Sequence, residues 1–505
     1  MSNYLVGIDA GTTGCKVIVF DLQGTVVASD YREYPCLYPK PGWVEQTHED
    51  IIPPLFDSCK AAIARSGVDP HDIAAVAIST QAPLLGMVGD DGALLRPFVG
   101  WQDLRGEPYI KQISDEFGRR RLYDITGDPL GTTFAITKWA WLRDHEPDNW
   151  ARTALFASEQ EYVLRQFGGQ GWWTDLSSAS REGMADVNNF TWSQEVHDYI
   201  GIPLDQRAQI STAAGQVVGE VTPEVAAKSG LAVGTKVCVG AHDQNCSTFG
   251  GGAINPGDSV MVMGTFGSCF VVLDTPVRDP NSVLVVKPNH GMGNWTIEAF
   301  SNTSASSFRW YRDTFADMET AAGKLLHEDP YDLITREVSQ VAPGADGITF
   351  LPYLQGAAGP RANANARASF VGMSLSTSKA AMARAVLEGI CFEMRDILRA
   401  QAAAGIEIGS IRLTGGAAKS PLWAQMLADI CERPIQLLQT SETGCLGAAL
   451  YAGVGVGLYD SCADAVAQAV KVTTTYEPDD STHAAYDEAF DRYVNVYEGL
   501  NSRVF

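Results

Sequence analysis

The sequence lacks a basic patch. Of its 505 residues, 37 are Lys or Arg and 60 are Asp or Glu, a net charge of −23. The short run Arg119–Arg121 lies beside acidic residues. DNA, RNA and anionic lipid surfaces are held by clustered cations, so this charge pattern excludes them as partners. Also missing is any stretch of about eighteen apolar residues that would cross a bilayer. The opening Met1–Gly7 has neither a basic flank nor an apolar signal core, which predicts a cytoplasmic location with reduced thiols. The ten cysteines form no CxxC pair, and no histidine stands at a zinc spacing from them. Several, such as Cys238 and Cys269, sit in apolar runs and read as small buried hydrophobes. The eight histidines contain no i, i+4 pair fit for a metal.

What is present describes an ordinary globular protein, 45% apolar and 19% charged. Its length exceeds what one core usually supports, so two large domains are expected, with a boundary near residue 250. The acidic field would repel a nucleotide too. Any nucleotide site must therefore build its own positive potential from backbone N–H groups, a lysine and a metal ion.

The chain opens as strand, turn, strand, turn, strand: Tyr4–Asp9, a Gly11–Gly14 turn, Cys15–Asp21, then Val26–Ser29. This differs from a dinucleotide-binding opening, in which the glycine turn leads into a helix. A helix around Ile51–Ala64 and a buried strand Ile73–Ser79 make the first half α/β. After residue 250 the layout returns. Ser259–Met263 reads as a strand, Gly264–Gly267 as a turn and Cys269–Leu273 as the returning strand. A helix over Ser378–Ala402 precedes the strand Ile411–Thr414, which ends in Gly415 and Gly416. Two hairpins with Gly-Thr turns suggest a duplication that places two glycine turns across one cleft.

Five segments carry candidate chemistry. In Asp9–Lys16, Gly11 lets a phosphate approach the backbone, and Thr12 and Thr13 offer hydroxyls and N–H groups. Asp9 can hold Mg²⁺ and Lys16 can place a charge near a transferring phosphoryl group. Gly264 and Thr265 form the matching turn of the second half. Gly415, Gly416 and Ser420, between a strand and a helical run Ala424–Glu432, fit either a nucleotide approach or an ordinary tight connection. Asp243 follows the apolar run Val237–Val239; locally it reads as a helix N-cap, and alternatively as an acid that takes a proton from a hydroxyl. Trp101–Arg105 offers Asp103 to hydroxyls and Trp101 to a sugar face, or is a solvated loop. Trp139, Trp141, Trp172 and Trp173 read as packing, and the acidic stretch Tyr476–Asp491 as a solvated helical face.

Taken together, the segments resemble the FGGY carbohydrate kinases over essentially the whole chain. Gly7–Lys16 resembles the first phosphate motif, Gly42–Gln46 the GWVEQ segment, Trp101–Asp103 the substrate loop and Thr174–Arg181 the TDxSxASR stretch. Gly264–Thr265 resembles the second phosphate motif, Gly415–Trp423 the adenosine motif, and Glu442 with Leu446–Ala449 the closing segment. The resemblance implies an α/β fold of two ribonuclease-H-like, actin-like ATPase domains flanking a central cleft. It also implies ATP and Mg²⁺ as cofactors, a small sugar or polyol as substrate, and a homodimer, a frequent state in the family. It makes Asp243 the catalytic base, and Gln81, Asp103 and Gln244 contacts to substrate hydroxyls.

Departures fall on the acceptor side. Xylulose kinases carry Gly-Gln-Met-His-Gly where this chain has Thr80–Leu84, with Ala82 and Pro83 in place of the Met-His pair. The Arg-Glu pair of glycerol kinases is absent there, although Gln244 resembles that branch. The expectation is a xylulose-kinase-like enzyme with a non-standard sugar pocket; the alternatives are a kinase of gluconate, glycerol or another polyol or ketose, or an actin- or chaperone-like ATPase without a sugar substrate.

Overall fold

The computed structural model describes residues 3–505 as two compact units. The first comprises the chain up to Pro256 together with Val272–Thr296 and Glu442–Lys471; the second comprises Gly257–Val271, Ile297–Ser441 and Val472–Phe505. Two segments return to the first unit from beyond residue 250, and the later of them brings Glu442 into it.

The first unit is built on β1 (Tyr4–Ala10), β2 (Gly14–Asp21), β3 (Val26–Glu33), α1 (His48–Ser66) and β4 (Ile73–Thr80). It continues through α2 (Ala135–His145), α3 (Glu159–Gln166), α4 (Leu176–Arg181), β5 (Val217–Glu220), β6 (Lys236–His242) and α5 (Asp243–Gly250). The sheet order is β5-β6-β4-β1-β2-β3. β1 is parallel to β4 and antiparallel to β2; β6 is parallel to β4, and β5 closes the edge antiparallel.

Strand β1 reads as an apolar run up to Ile8 because both its faces are covered. Val6 and Ile8 pack with Leu55, Cys59 and Ala62 of α1, while Leu5 packs with the helix Thr443–Gly455. Gly7 permits that second contact: a Cβ there would lie 1.9 Å from the Cys445 carbonyl oxygen. Thr47 caps α1 by accepting from the Asp50 N–H, and Gly67 ends it in the left-handed region.

The second unit repeats this plan with β7 (Ser259–Met263), β8 (Gly267–Leu273), α6 (Ala305–Phe315), α7 (Lys379–Ala403), β9 (Ile411–Gly415), α8 (Pro421–Cys431), β10 (Ile435–Leu438) and β11 (Val472–Tyr476). The order β11-β10-β9-β7-β8 has the same senses as β5-β6-β4-β1-β2: antiparallel, parallel, parallel, antiparallel. Helix α8 starts three residues before the expected Ala424, because Pro421 suits the first turn and Ser420 caps it. All ten cysteines are free, and all but Cys36 and Cys462 are buried. No described helix is long and apolar enough to cross a membrane.

Candidate active site

In the first unit, the β1–β2 hairpin sets Asp9 directly opposite Lys16. The turn between them closes with Gly11 N–H donating to Gly14 O at 3.0 Å, and Tyr34 and Gln81 donate to Gly11 O from below. Gly14 is required there, since a Cβ would meet Arg32 O at 2.5 Å. Thr12 turns its hydroxyl to Trp101, whose indole N–H donates to Oγ1 at 3.1 Å. Thr13 is exposed on the turn. Lys16 extends to Glu442, with Nζ to Oε2 at 2.8 Å, and this partner raises its pKa against the opposing effect of burial.

Two acids meet where β1 and β6 end on either side of β4. Asp9 is half-buried and accepts from Ser79 Oγ at 2.7 Å. Burial first, and then the charge of Asp243, push its pKa up to about 7. Asp243 behaves in the opposite way. Burial would raise it, but the His242 ring, the Arg181 charge and the Gln244 N–H outweigh that effect and hold it below the usual carboxylate value. His242 Nε2 lies 2.9 Å from Oδ1, and Gln244 N donates to the same oxygen at 2.6 Å. Both contacts fall on Oδ1, which leaves Oδ2 for a substrate. The local reading of Asp243 as an N-cap is corrected: His242 holds the cap position and Asp243 is the first residue of α5.

The three expected hydroxyl contacts separate. Gln244 keeps its side-chain oxygen without a hydrogen-bond partner among the described residues. Gln81 is only 2% exposed, and its amide donates to Gln46 Oε1 at 2.9 Å beneath the Gly11–Gly14 turn, so it supports the turn. Asp103 is fully buried. Its Oδ1 accepts from Arg105 N and Nε, and its Oδ2 from Val44 N and Arg105 Nη2, at 2.6–2.9 Å. Arg105 in turn reaches Glu45 at 2.7 Å and stacks on Trp43 at 4.0 Å. Asp103 is thus a pillar of its loop and has no oxygen left for a sugar.

Sequence reasoning missed three buried groups nearby. Glu159 opens α3 and is fully buried. Burial, with the charges of Asp243 and Asp9, pushes it well above the carboxylate range against the pull of the Gln81 amide. The capping box Ser158-x-x-Glu161 announces this helix, but nothing local marks Glu159. Lys138 on α2 is fully buried beneath Trp101. Lys287 is buried too, donating to Ser180 O at 2.6 Å and paired with Asp128.

In the second unit, β7 and β9 run parallel with Met263 beside Gly415, so both glycine turns lie at one end of the sheet. The Gly264–Thr265 turn is held by Ala305 N donating to Gly264 O, Ser304 N to Thr265 O and Ser306 Oγ to Thr265 O, at 2.7–3.0 Å. Gly415 has φ +84°, and a Cβ there would lie 2.5 Å from Met263 O. Gly264, Thr265, Gly416 and Ser420 line one cavity of about 360 Å³. Phe308, Tyr331 and Trp423 give it an aromatic wall, with ring centroids 5.3 and 5.6 Å from Phe308. Ser420 Oγ is engaged as the cap of α8, accepting from Trp423 N at 3.3 Å. Away from this cavity, His483, Asp487 and Glu432 gather at metal-like spacing. The Arg395 guanidinium already supplies the positive charge there, 2.6 Å from both carboxylates.

Residues 4–250 match the FGGY family of carbohydrate kinases, N-terminal domain, and residues 259–456 match its C-terminal domain. The chain belongs to the FGGY family. It is a carbohydrate kinase, a phosphotransferase with an alcohol acceptor, and membership brings ATP as the donor. It is 28% identical to a gluconokinase of Bacillus subtilis over 508 residues, covering 100% of this chain and 97% of that one. It is equally 28% identical to a xylulose kinase of the same organism over 495 residues, covering 98% and 96%. Among solved structures, a xylulose kinase from Lactobacillus acidophilus superposes with a TM-score of 0.89 at 27% identity, covering 99% of each chain. The two units of this FGGY kinase have the ribonuclease-H-like, actin-like ATPase fold.

Proposed function

We propose that this FGGY kinase transfers the γ-phosphoryl group of ATP to a hydroxyl of a small sugar, with a ketopentose such as xylulose as the first acceptor to test. The observation that carries the reading is Asp243: an ionised carboxylate at a strand end, with Oδ1 tied by His242 and Gln244 and Oδ2 available. Phosphoryl transfer needs a positioned base and charge stabilisation far more than covalent chemistry. Asp243 Oδ2 orients the attacking hydroxyl and takes its proton, while the Gln244 side-chain oxygen accepts from a neighbouring hydroxyl. Gly11, Thr12 and Thr13 in the first unit offer N–H and hydroxyl donors to phosphate oxygens, and Gly264 and Thr265 offer the same kind of donors in the second. The base of the nucleotide enters the cavity walled by Phe308, Tyr331 and Trp423, and Gly416 lets its chain pass close.

The donor set fits a hard cation: the charge of Asp243 disfavours ionisation of the buried Asp9 carboxyl, and a divalent ion would relieve that repulsion. Asp9 would hold Mg²⁺, which when bound neutralises phosphate charge. Acceptors such as gluconate or glycerol follow the same chemistry. Asp243→Asn is the test: loss of transfer by about 10²–10⁴-fold with ADP binding retained is expected for a base. Transfer at the wild-type rate would remove Asp243 from the mechanism.

A further inference from the structure

The loop Trp101–Gly106 is fixed to helix α2 at both ends. At its start, Lys138 Nζ donates to Trp101 O at 3.1 Å and to Thr133 O at 3.2 Å. At its end, Gly106 lies so close to Thr137 that a Cβ would come within 2.5 Å of Thr137 Oγ1. Between these points Asp103 and Arg105 knit the loop to Val44 and Glu45. Trp101 then leaves the loop and donates its indole N–H to Thr12 Oγ1 on the phosphate turn.

We propose that Lys138 is a positioning residue: by clamping the Trp101 and Thr133 carbonyls it aims the Trp101 indole at Thr12 and couples the acceptor loop to the phosphate turn. This rests on the reading of Trp101–Arg105 as the acceptor loop. A buried amine is costly where its N–H groups lack acceptors, and the two carbonyls engage two of them. Burial pushes Lys138 down to about 7, with Asp103 opposing and Arg105 adding to the shift. Charged or neutral, the amine carries an N–H for each carbonyl.

The test uses the full-length chain and needs no acceptor for its first arm. In Lys138→Met, amide hydrogen exchange is expected to quicken about tenfold or more over residues 101–106 and in the 11–14 turn, with the rest of the chain near wild type. Exchange unchanged over 101–106, or raised uniformly, overturns the proposal. Trp101→Phe removes the N–H to Thr12 along with part of the ring, and should quicken exchange at 11–14 while 101–106 stay near wild type; no change at 11–14 overturns the coupling, and this arm survives if Lys138→Met does not fold. The second arm measures transfer to D-xylulose, D-gluconate and glycerol. For whichever acceptor the wild type uses, Lys138→Met should raise KM about tenfold with kcat little changed, and Lys138→Gln, which keeps N–H donors, should recover part of the loss. A kcat loss with KM unchanged contradicts a positioning role. A wild type that phosphorylates none of the three counts against the acceptor reading, and the exchange result still decides the clamp.

Discussion

Asp243 and Asp103 both follow buried strands, and the structure gives them opposite work. Asp243 keeps one oxygen for chemistry, whereas Asp103 spends both on its own loop. The two predictions therefore diverge. Asp243→Asn should cost catalysis and leave stability nearly untouched, as set out above. Asp103→Asn leaves the buried Arg105 guanidinium half-matched and should destabilise the first unit by about 3–5 kcal/mol, read in urea unfolding. A variant that kept full stability and lost only acceptor affinity would return Asp103 to the substrate. The motif Trp101–Arg105 was visible in the sequence. The direction of Asp103 was not, because that depends on Val44 and Glu45, more than fifty positions away. Glu159 and Lys138 were silent for the same reason. Their meaning lies in burial, and burial of a charged residue has no local spelling.

At the scale of elements, the hairpins and glycine turns were legible because their chemistry is local: alternating or continuous apolar runs bounded by Gly-Thr pairs. β1, β4, β7 and β9 fall within a residue or two of expectation. What spacing could not show is that β9 runs parallel beside β7, which brings Gly415 against Met263. At φ +84° a β-carbon is strained, and the close carbonyl leaves it no room. Gly415→Ala should cost about 1–3 kcal/mol of stability and weaken ADP binding, measured by calorimetric titration. Unchanged affinity together with unchanged stability would show that the strand end tolerates a side chain and that the turn does not shape the nucleotide cavity.

At the scale of the whole molecule, one plan is used twice, and each copy carries different side chains: Asp9, Asp243, Lys16 and the Trp101–Gly106 loop in the first unit, the aromatic-walled cavity in the second. The second unit also carries buried acids. Burial pushes Glu393 up to about 8 and Glu388 up to about 7, and Ser301 Oγ sits 2.6 Å from Glu393. Glu388 accepts from Arg384 Nε at 2.7 Å, whereas Glu393 is protonated in the fold at pH values where the unfolded chain has already released its proton. The stability Glu393 contributes is therefore full below about pH 4.5, the unfolded value, and is lost as pH rises through about 8. The melting temperature of Glu393→Gln should fall less than that of the wild type between pH 5 and pH 9. Parallel curves would contradict the assignment.

The acceptor is the open half of the reaction, since the departures at Ala82 and Pro83 and the engagement of Gln81 and Asp103 leave few hydroxyl contacts fixed. The most direct measurement is coupled ADP release from Mg·ATP over a panel of ketoses, aldonates and polyols, run in parallel on the wild type and Asp243→Asn. The account predicts that at least one acceptor drives ADP release far above the acceptor-free rate, and that this stimulation vanishes in the variant. A slow ATPase indifferent to every acceptor, or stimulation that survives Asp243→Asn, would contradict it.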